Sequence, residues 1–446
     1  MYPRLPAFEG TPPREYNGTG RVSRNAQRVS PVRMPVRHRA HGIVEYSAVY
    51  VRFFCMHTRT TVGIDIGTHQ IKVVVAAQKR QSPKPVVLGT GYAHSRGIRQ
   101  GYVIHKQDLL KTLQTAVANA EQSSRTPIRE AYVSVGGVGL EEFRSRAEVV
   151  VSRADSVVSE LDTKKALEEC ERRIANRLVN RKIIHAIPLS YQIDGEPVVS
   201  NRPIGMKGVR LETEALFVTA LEQHLDDLIA TVEAAGISVT DVMASPLAGS
   251  FVTLTKPQKI AGVVLANLGA ETVSIAVFEN DVPISVRVFP VGTNDITNDI
   301  ALGLRVSLEE AEDAKLGYRG AAGRNASPTK KHLEQIIQGR LKDMFSLVDA
   351  HLKRIGKNEL LPAGIVISGG GSGIATIEDI AKATLKLPSR CATLPVAQNT
   401  KIKDATWAVA YGLCLWGIAN RRHTKPTRAV REGVGALLQW LKQFLP

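Results

Sequence analysis

Two patterns alternate along this chain: short runs of branched apolar residues cut by polar turns, and apolar positions recurring every three or four residues. Residues 61–66 and 71–76 are branched runs on either side of a polar turn at 67–70, which predicts a β-hairpin. A strand follows at 86–91. Leu109, Leu110, Leu113, Val117 and Ala120 fall at helical spacing and predict a helix with one buried face. A short strand at 131–135 ends on Gly136 and Gly137. The character then changes: strands at 147–152 and 183–193 flank a charged helix at 163–178, and the stretch closes at 211–219. This predicts a separate small α/β subdomain over 138–218. A helix over 222–235 closes at Gly236, a residue suited to a left-handed C-terminal cap.

The second half opens like the first. Residues 261–266 and 272–279 read as strands around the turn NLGAE, and Asn280-Asp281 turns the chain into a third strand over 283–289. Helices are predicted at 294–304, from a capping box at Ser307 and Glu310 through 316, and at 330–354, with a loop at 317–328. A buried strand at 365–368 runs into Gly369, Gly370, Gly371 and Ser372, followed by a helix over 374–385; an apolar helix at 405–418 completes the core. A strand–turn–strand unit in each half is a duplication of architecture rather than of sequence.

The first turn is chemically suited to a nucleotide phosphate tail. Gly67 lets backbone come close, Thr68 offers a hydroxyl and an N–H, and Lys72 supplies a cation on the returning strand. Asp65 can hold Mg²⁺ or its water shell, because that ion prefers one or two carboxylates plus phosphate oxygens. An ordinary hairpin with an aspartate at its buried edge carries the same short pattern, so the turn alone leaves both readings open. Two such units facing each other would clamp a phosphate tail from both sides. The glycine run at 369–371 lets a planar or anionic ligand lie against backbone near a helix N-terminus. Its spacing is not a dinucleotide fingerprint, and no G-x-x-x-x-G-K-[ST] loop occurs.

Composition narrows the class. With 446 residues, 43% of them hydrophobic, the chain can bury two or more cores, and it has no apolar run of about 18 residues. The formal charge of +16 gathers at the ends: nine arginines against three glutamates in 1–57, and six basic residues against Glu432 in 421–446. With aromatics at only 5% and the charge in tails, nucleic acid is not an expected partner. Cys55, Cys170, Cys391 and Cys414 have no paired spacing, which suits a reducing compartment rather than a zinc site or disulfide frame. Residues 1–57 read as a disordered basic arm, a targeting segment, or upstream sequence ahead of a start at Met56. The last is preferred, since the first strand begins directly after Met56.

At the other end, Val434, Leu437, Leu438, Leu441 and Leu445 line one face of a predicted helix, with Trp440 and Phe444 on its shoulder. Arg421, Arg422, Lys425, Arg428 and Arg431 precede it. A basic linker before an amphipathic helix predicts a segment lying on an anionic membrane surface; docking back onto the protein is the alternative. Five or six apolar side chains at about 1.5–3 kcal/mol each barely offset ordering the segment at about 1 kcal/mol or more per residue. Stable attachment therefore needs several linked copies.

Two phosphate turns followed by a late glycine loop resemble the actin–Hsp70–sugar kinase superfamily. The segments SRGIRQGYVI and VFPVGTNDITNDIALGL, residues 309–315, the insertion at 138–218 and the basic linker with its terminal helix are similar to the FtsA family of bacterial cell-division proteins. The resemblance covers about 58–445. It implies an α/β, actin-like architecture of duplicated ribonuclease H-like domains with an FtsA-type subdomain 1C and a C-terminal amphipathic helix. The implied division is an extension at 1–57; subdomain 1A at 58–137, 219–256 and 396–420; 1C at 138–218; 2A at 257–296 and 362–395; 2B at 297–361; and the membrane segment at 421–446.

The same resemblance implies ATP and Mg²⁺ as cofactors. It puts Asp65, Gly67, Thr68 and Lys72 in the first phosphate loop, with Asp65 at the metal, and Asn267, Gly269 and Thr272 in the second. Glu312 and Lys315 would hold adenine and ribose, and Gly369, Gly370, Gly371 and Ser372 would form the adenosine loop. Where the superfamily usually has D-x-G-G-G-T, this chain has Asn267-Leu-Gly-Ala-Glu-Thr272, so the second loop brings no carboxylate at its first position. ATP is accordingly expected to act as an assembly switch, hydrolysed slowly at most. The implied partners are the C-terminal tail of FtsZ on 2B near Lys331 and Arg340, further copies of the chain in filaments, later division proteins through 1C, and the anionic cytoplasmic face of the cell membrane at the septum. The rival readings are a pilus-type actin-like adaptor without lipid binding and an ATPase or kinase of the same superfamily.

Overall fold

The branched runs pair because each buries both faces. The structure, a computed structural model, describes residues 58–79, 85–318, 327–394, 402 and 404–420. These lie within the unit Phe54–Pro446. The extension at 1–57 and the basic linker and amphipathic helix expected over 421–446 lie outside the described residues.

In the first half, β1 (Thr58–Ile66) and β2 (Gln70–Lys79) form an antiparallel hairpin, and β3 (Val86–His94) extends it. Helix α1 (Lys106–Ser124) covers one face through Leu109, Leu113, Ala116 and Ala120. Strand β4 (Glu130–Val135) then pairs parallel with β1. The chain next leaves the sheet for an inserted subdomain of β5 (Glu141–Val150), α2 (Glu160–Arg173), β6 (Arg181–Ile193) and β7 (Arg210–Leu221), in which β7 is the central, antiparallel strand. It returns through α3 (Glu222–Ala234) to β8 (Ser238–Ala244), parallel to β4, and continues as α4 (Ser245–Thr253).

The second half repeats the plan. Strands β9 (Val263–Leu268), β10 (Val273–Glu279) and β11 (Val282–Phe289) form an antiparallel meander. Three helices follow: α5 (Thr293–Leu304), α6 (Leu308–Gly317) and α7 (Pro328–Arg354). Then β12 (Ile365–Ser368), α8 (Ile377–Leu385) and β13 (Ser389–Cys391) complete the sheet, both strands parallel, and α9 (Ala408–Asn420) returns to pack on β1 and α4. Both five-stranded sheets thus have one order and one set of strand senses: β8-β4-β1-β2-β3 and β13-β12-β9-β10-β11. One core gathers around Ile64, Val73, Leu113 and Val133 and reaches Leu265 and Phe278 of the second sheet. A second lies around Ile275, Ile296, Phe345 and Ile367.

Several expectations shift at their edges. The strand expected at 147–152 begins at Glu141: Phe143, Ser145 and Ala147 point inward between outward arginines, the alternation of a half-buried strand. The charged helix ends at Arg173, with a 3₁₀ turn at Ala175–Arg177. The helix after the glycine run starts at Ile377 because Gly370–Gly373 form a 3₁₀ turn and Thr376 takes a left-handed φ of 69°. Asn280 and Asp281 both have positive φ, 53° and 64°, the geometry of a tight hairpin turn. Gly236 has φ 82° and closes α3 with bonds to Glu233 O and, through the Ile237 N–H, Val232 O.

The inserted subdomain leans on the second sheet. β11 is an edge strand, and its outward groups are taken by β5: the Glu142 carboxylate accepts from the Val286 N–H (2.6 Å) and the Ser285 hydroxyl (2.8 Å), while Arg144 Nη2 donates to Ile284 O (2.7 Å). Ser285 is also 2.8 Å from His351 Nε2. Burial raises the Glu142 pKa against these bonds.

Candidate functional site

Both halves present a turn at the carboxyl end of the central strand, beside the end of a parallel neighbour, which is where α/β sheets form ligand crevices. The two turns are closed by the same backbone bond. The Gly67 N–H donates to Gln70 O at 3.2 Å, and the Gly269 N–H to Thr272 O at 2.8 Å. Asp65 and Asn267 stand two residues before these glycines, at matching places on β1 and β9.

In the first turn Asp65 lies opposite Lys72 across the hairpin, and Asp65 Oδ1 accepts from the Ser134 hydroxyl at the end of β4 (2.7 Å). Burial raises the Asp65 pKa, against the Ser134 bond and the Lys72 charge. Burial lowers the Lys72 pKa, against Asp65 and Asp404. Lys72 Nζ also lies 5.9 Å from the Trp407 ring centroid. Gly67 and Thr68 are half-buried, and His69 at the tip is exposed.

In the second turn, Gly269 O and Ala270 O accept from the Thr293 and Asn294 N–H groups (2.9 and 2.8 Å). The first amides of α5 are therefore spent on the turn. The glycine loop presses on the same turn: a Cβ at Gly369 would sit 2.3 Å from Asn267 Oδ1, and one at Gly371 would sit 2.7 Å from Leu268 Cβ and 2.9 Å from Thr293 Cγ2. The Ser372 hydroxyl closes the loop on Gly369 O at 2.7 Å. Asn267, Gly269 and residues 369–372 thus form one backbone-lined corner.

Glu312 and Lys315 meet on α6. Lys315, buried, donates to Glu312 Oε2 (2.6 Å), Thr297 Oγ1 (2.8 Å) and Thr293 O (3.2 Å), which commits its ammonium inside the fold. Burial opposes ionisation of Glu312, but the bonds from Lys315 and Thr297 hold its pKa below the usual range. Glu312 lines a cavity of about 410 Å³ with Arg99 and Gln100 from the first half and Glu271, Asn294, Asp295, Thr297, Asn298 and Glu309 from the second. Across it the Gln100 N–H donates to Glu271 Oε2 at 2.6 Å. This bond ties the two halves together at the second turn. Sequence reasoning missed Ser134 and the Gln100–Glu271 pair. Glu271 had a signal, as a carboxylate where the superfamily pattern has glycine; Ser134 had none, because only the parallel pairing of β4 with β1 brings it to Asp65.

The two residues expected to meet a partner, Lys331 and Arg340, lie on α7. Lys331 is exposed, whereas Arg340 forms a fork with Asp299 of α5 (Nε to Oδ2 2.6 Å, Nη2 to Oδ1 2.9 Å). The set expected to face a membrane, Val434, Leu437, Leu438, Trp440, Leu441, Phe444 and Leu445, lies outside the described residues. Among the described residues no helix is long and apolar enough to cross a membrane, and no group of three or more His, Cys, Asp or Glu could hold a metal alone. The Asp65 carboxylate beside the Ser134 hydroxyl supplies oxygen donors that fit a hard cation drawing its other ligands from a bound anion.

Comparison with known proteins agrees with this geometry. Residues 264–412 match the family model "Cell division protein FtsA", and residues 137–219 match "SHS2 domain inserted in FTSA". The FtsA protein of Bacillus subtilis is 29% identical over 378 residues, covering 81% of this chain and 84% of that protein. The FtsA protein of Pseudomonas aeruginosa is 27% identical over 379 residues, covering 80% and 89%. Among solved structures, a chain of the PilM–PilN type IV pilus biogenesis complex shares the fold with a TM-score of 0.62 at 18% identity, covering 80% of this chain and 98% of that one. Duplicated actin-like sheets with an SHS2 insertion, and relatives spanning most of the described residues, place this chain in the FtsA family of cell-division proteins.

Proposed function

We propose that this chain is an ATP-switched division protein that assembles on the cytoplasmic face of the cell membrane at the septum and tethers FtsZ filaments there. The observation that carries the reading is the pair of identical backbone clamps, Gly67 to Gln70 and Gly269 to Thr272, one at the end of each central strand. Each clamp closes a tight turn whose following backbone N–H groups would meet the polyphosphate on this reading.

On this reading Gly67, Thr68 and Lys72 hold the phosphates from one side, and Gly269 and Thr272 from the other. Glu312 faces the nucleoside, with Lys315 fixing its carboxylate, and Gly369, Gly370, Gly371 and Ser372 carry the adenosine. Mg²⁺ would be held by Asp65 and supplies charge neutralisation of the phosphates when bound. Asn267 adds no charge, which favours a switch over rapid turnover. The subdomain at 138–218 would receive later division proteins. An acidic FtsZ tail on α7 would meet Lys331 first and would have to exchange with Asp299 to reach Arg340.

Sedimentation with anionic liposomes tests the proposal, using the full chain and a chain lacking residues 432–446, with and without ATP. ATP-dependent co-sedimentation of the full chain alone is expected. Equal pelleting of both chains, or no response to ATP, overturns it.

A further inference from the structure

The first turn carries an imidazole that the phosphate-loop reading leaves unused. His69 stands exposed at the tip, between Thr68 and Gln70, and its carbonyl accepts from the Ser95 N–H (2.9 Å), which fixes the tip against the end of β3. Its ring meets the His94 ring edge-on, with centroids 5.3 Å apart and planes at 85°. The charged and titratable groups that act on it are Lys72 on β2, His94 on β3, and Glu312 and Lys315 on α6 of the other half. His69 is therefore a turn residue whose charge state responds to groups of both halves.

We propose that His69 is a proton-dependent ligand of the bound polyphosphate, so that nucleotide binding takes up a proton and tightens as pH falls. The inference rests on the nucleotide reading above. Without ligand, partial desolvation, His94, Lys72 and Lys315 hold the imidazole below its ordinary pKa, against Glu312, so it is largely neutral near pH 7. A polyphosphate beside it favours the imidazolium, which donates a charge-assisted hydrogen bond to a phosphate oxygen. Because the bound-state pKa is the higher one, affinity is gained as pH falls through it and levels off below the free-state pKa. The gain is about tenfold for each unit by which the phosphates raise the imidazole pKa.

The test is calorimetry of ATP binding to the full chain at fixed Mg²⁺, at pH 8 and pH 6, in two buffers of different ionisation enthalpy. His69→Gln is measured alongside, and subtracting it removes the titration of ATP itself. Wild-type protein should show net proton uptake beyond that of His69→Gln and a steeper gain in affinity at pH 6. His94→Phe removes a group that depresses the His69 pKa, so it should move the wild-type midpoint to higher pH. Binding by wild type and His69→Gln with the same pH slope and proton count overturns the role of His69 while leaving the nucleotide site intact. Absence of ATP binding in every chain at both pH values overturns the nucleotide reading and this inference together.

Discussion

The three consecutive glycines at 369–371 should respond to alanine in three different ways, and the differences follow from geometry. Gly369 has φ 85° and ψ −177°, a region open essentially to glycine, and a Cβ there would meet Asn267 Oδ1 at 2.3 Å and Leu268 O at 2.6 Å. The backbone strain is about 1–3 kcal/mol. A clash with a fixed carbonyl adds about 1–3 kcal/mol more. At Gly371 the φ is ordinary, but the Cβ would press on Leu268 Cβ and Thr293 Cγ2, for roughly 1–3 kcal/mol. At Gly370 nothing lies within 4 Å, the φ is ordinary and the residue is exposed, so stability should stay within about 0.5 kcal/mol.

Thermal melts followed by circular dichroism read this order. At roughly 2–4 °C per kcal/mol for a domain of this size, Gly369→Ala should melt on the order of 10 °C below wild type, Gly371→Ala less far, and Gly370→Ala beside it. ATP titration adds the functional half. A methyl at Gly370 projects from the loop surface, so Gly370→Ala should weaken ATP by about tenfold, or ~1.4 kcal/mol, while folding normally. If Gly369→Ala is as stable as Gly370→Ala, the packing of the loop on the second turn is wrong. If Gly370→Ala binds ATP like wild type, the loop does not cradle the nucleotide.

Lys315→Met removes two hydrogen bonds that stitch α6 to α5 and leaves Glu312 without its cation, so it should cost about 1–3 kcal/mol in urea unfolding as well as weakening ATP. Arg340→Ala should destabilise the fold by about 1 kcal/mol by breaking the fork with Asp299, whereas Lys331→Ala should change affinity for an acidic tail peptide without moving the melt. His185 is buried and accepts the Ala244 N–H at 3.0 Å, and burial lowers its pKa from 6.5 to about 3. Stability should therefore be fully present above pH 6.5 and be lost as pH falls toward 3, by up to about 4 kcal/mol. His185→Gln, which keeps an acceptor, should flatten that slope in pH-dependent urea melts.

Elements whose signals are local could be read from neighbouring residues alone. The branched runs and the Gly67 and Gly269 turns gave two hairpins, because short branched apolar runs on either side of a glycine turn admit few alternatives. The capping box at Ser307 and Glu310 formed as read, with bonds of 2.9 and 3.2 Å. So did the tight turn at Asn280 and Asp281 and the cap at Gly236. The strand Ser238–Ala244 and the helix Ser245–Thr253 left no such trace. The first breaks its apolar pattern at Thr240 and Asp241, and the second is buried nearly all round, so neither shows one wet face.

Which groups meet is settled by long-range packing. Ser134 reaches Asp65 through a parallel pairing across 69 residues of chain, and Gln100 reaches Glu271 across 171. The Lys315 ammonium and the Arg340 guanidinium, legible in the sequence only as cations, turn out to be held by Glu312 and Asp299. Local chemistry writes turns, caps and periodicity into neighbouring residues. Partnerships between distant side chains depend on how sheets and helices stack, and that is set by the burial of both cores at once.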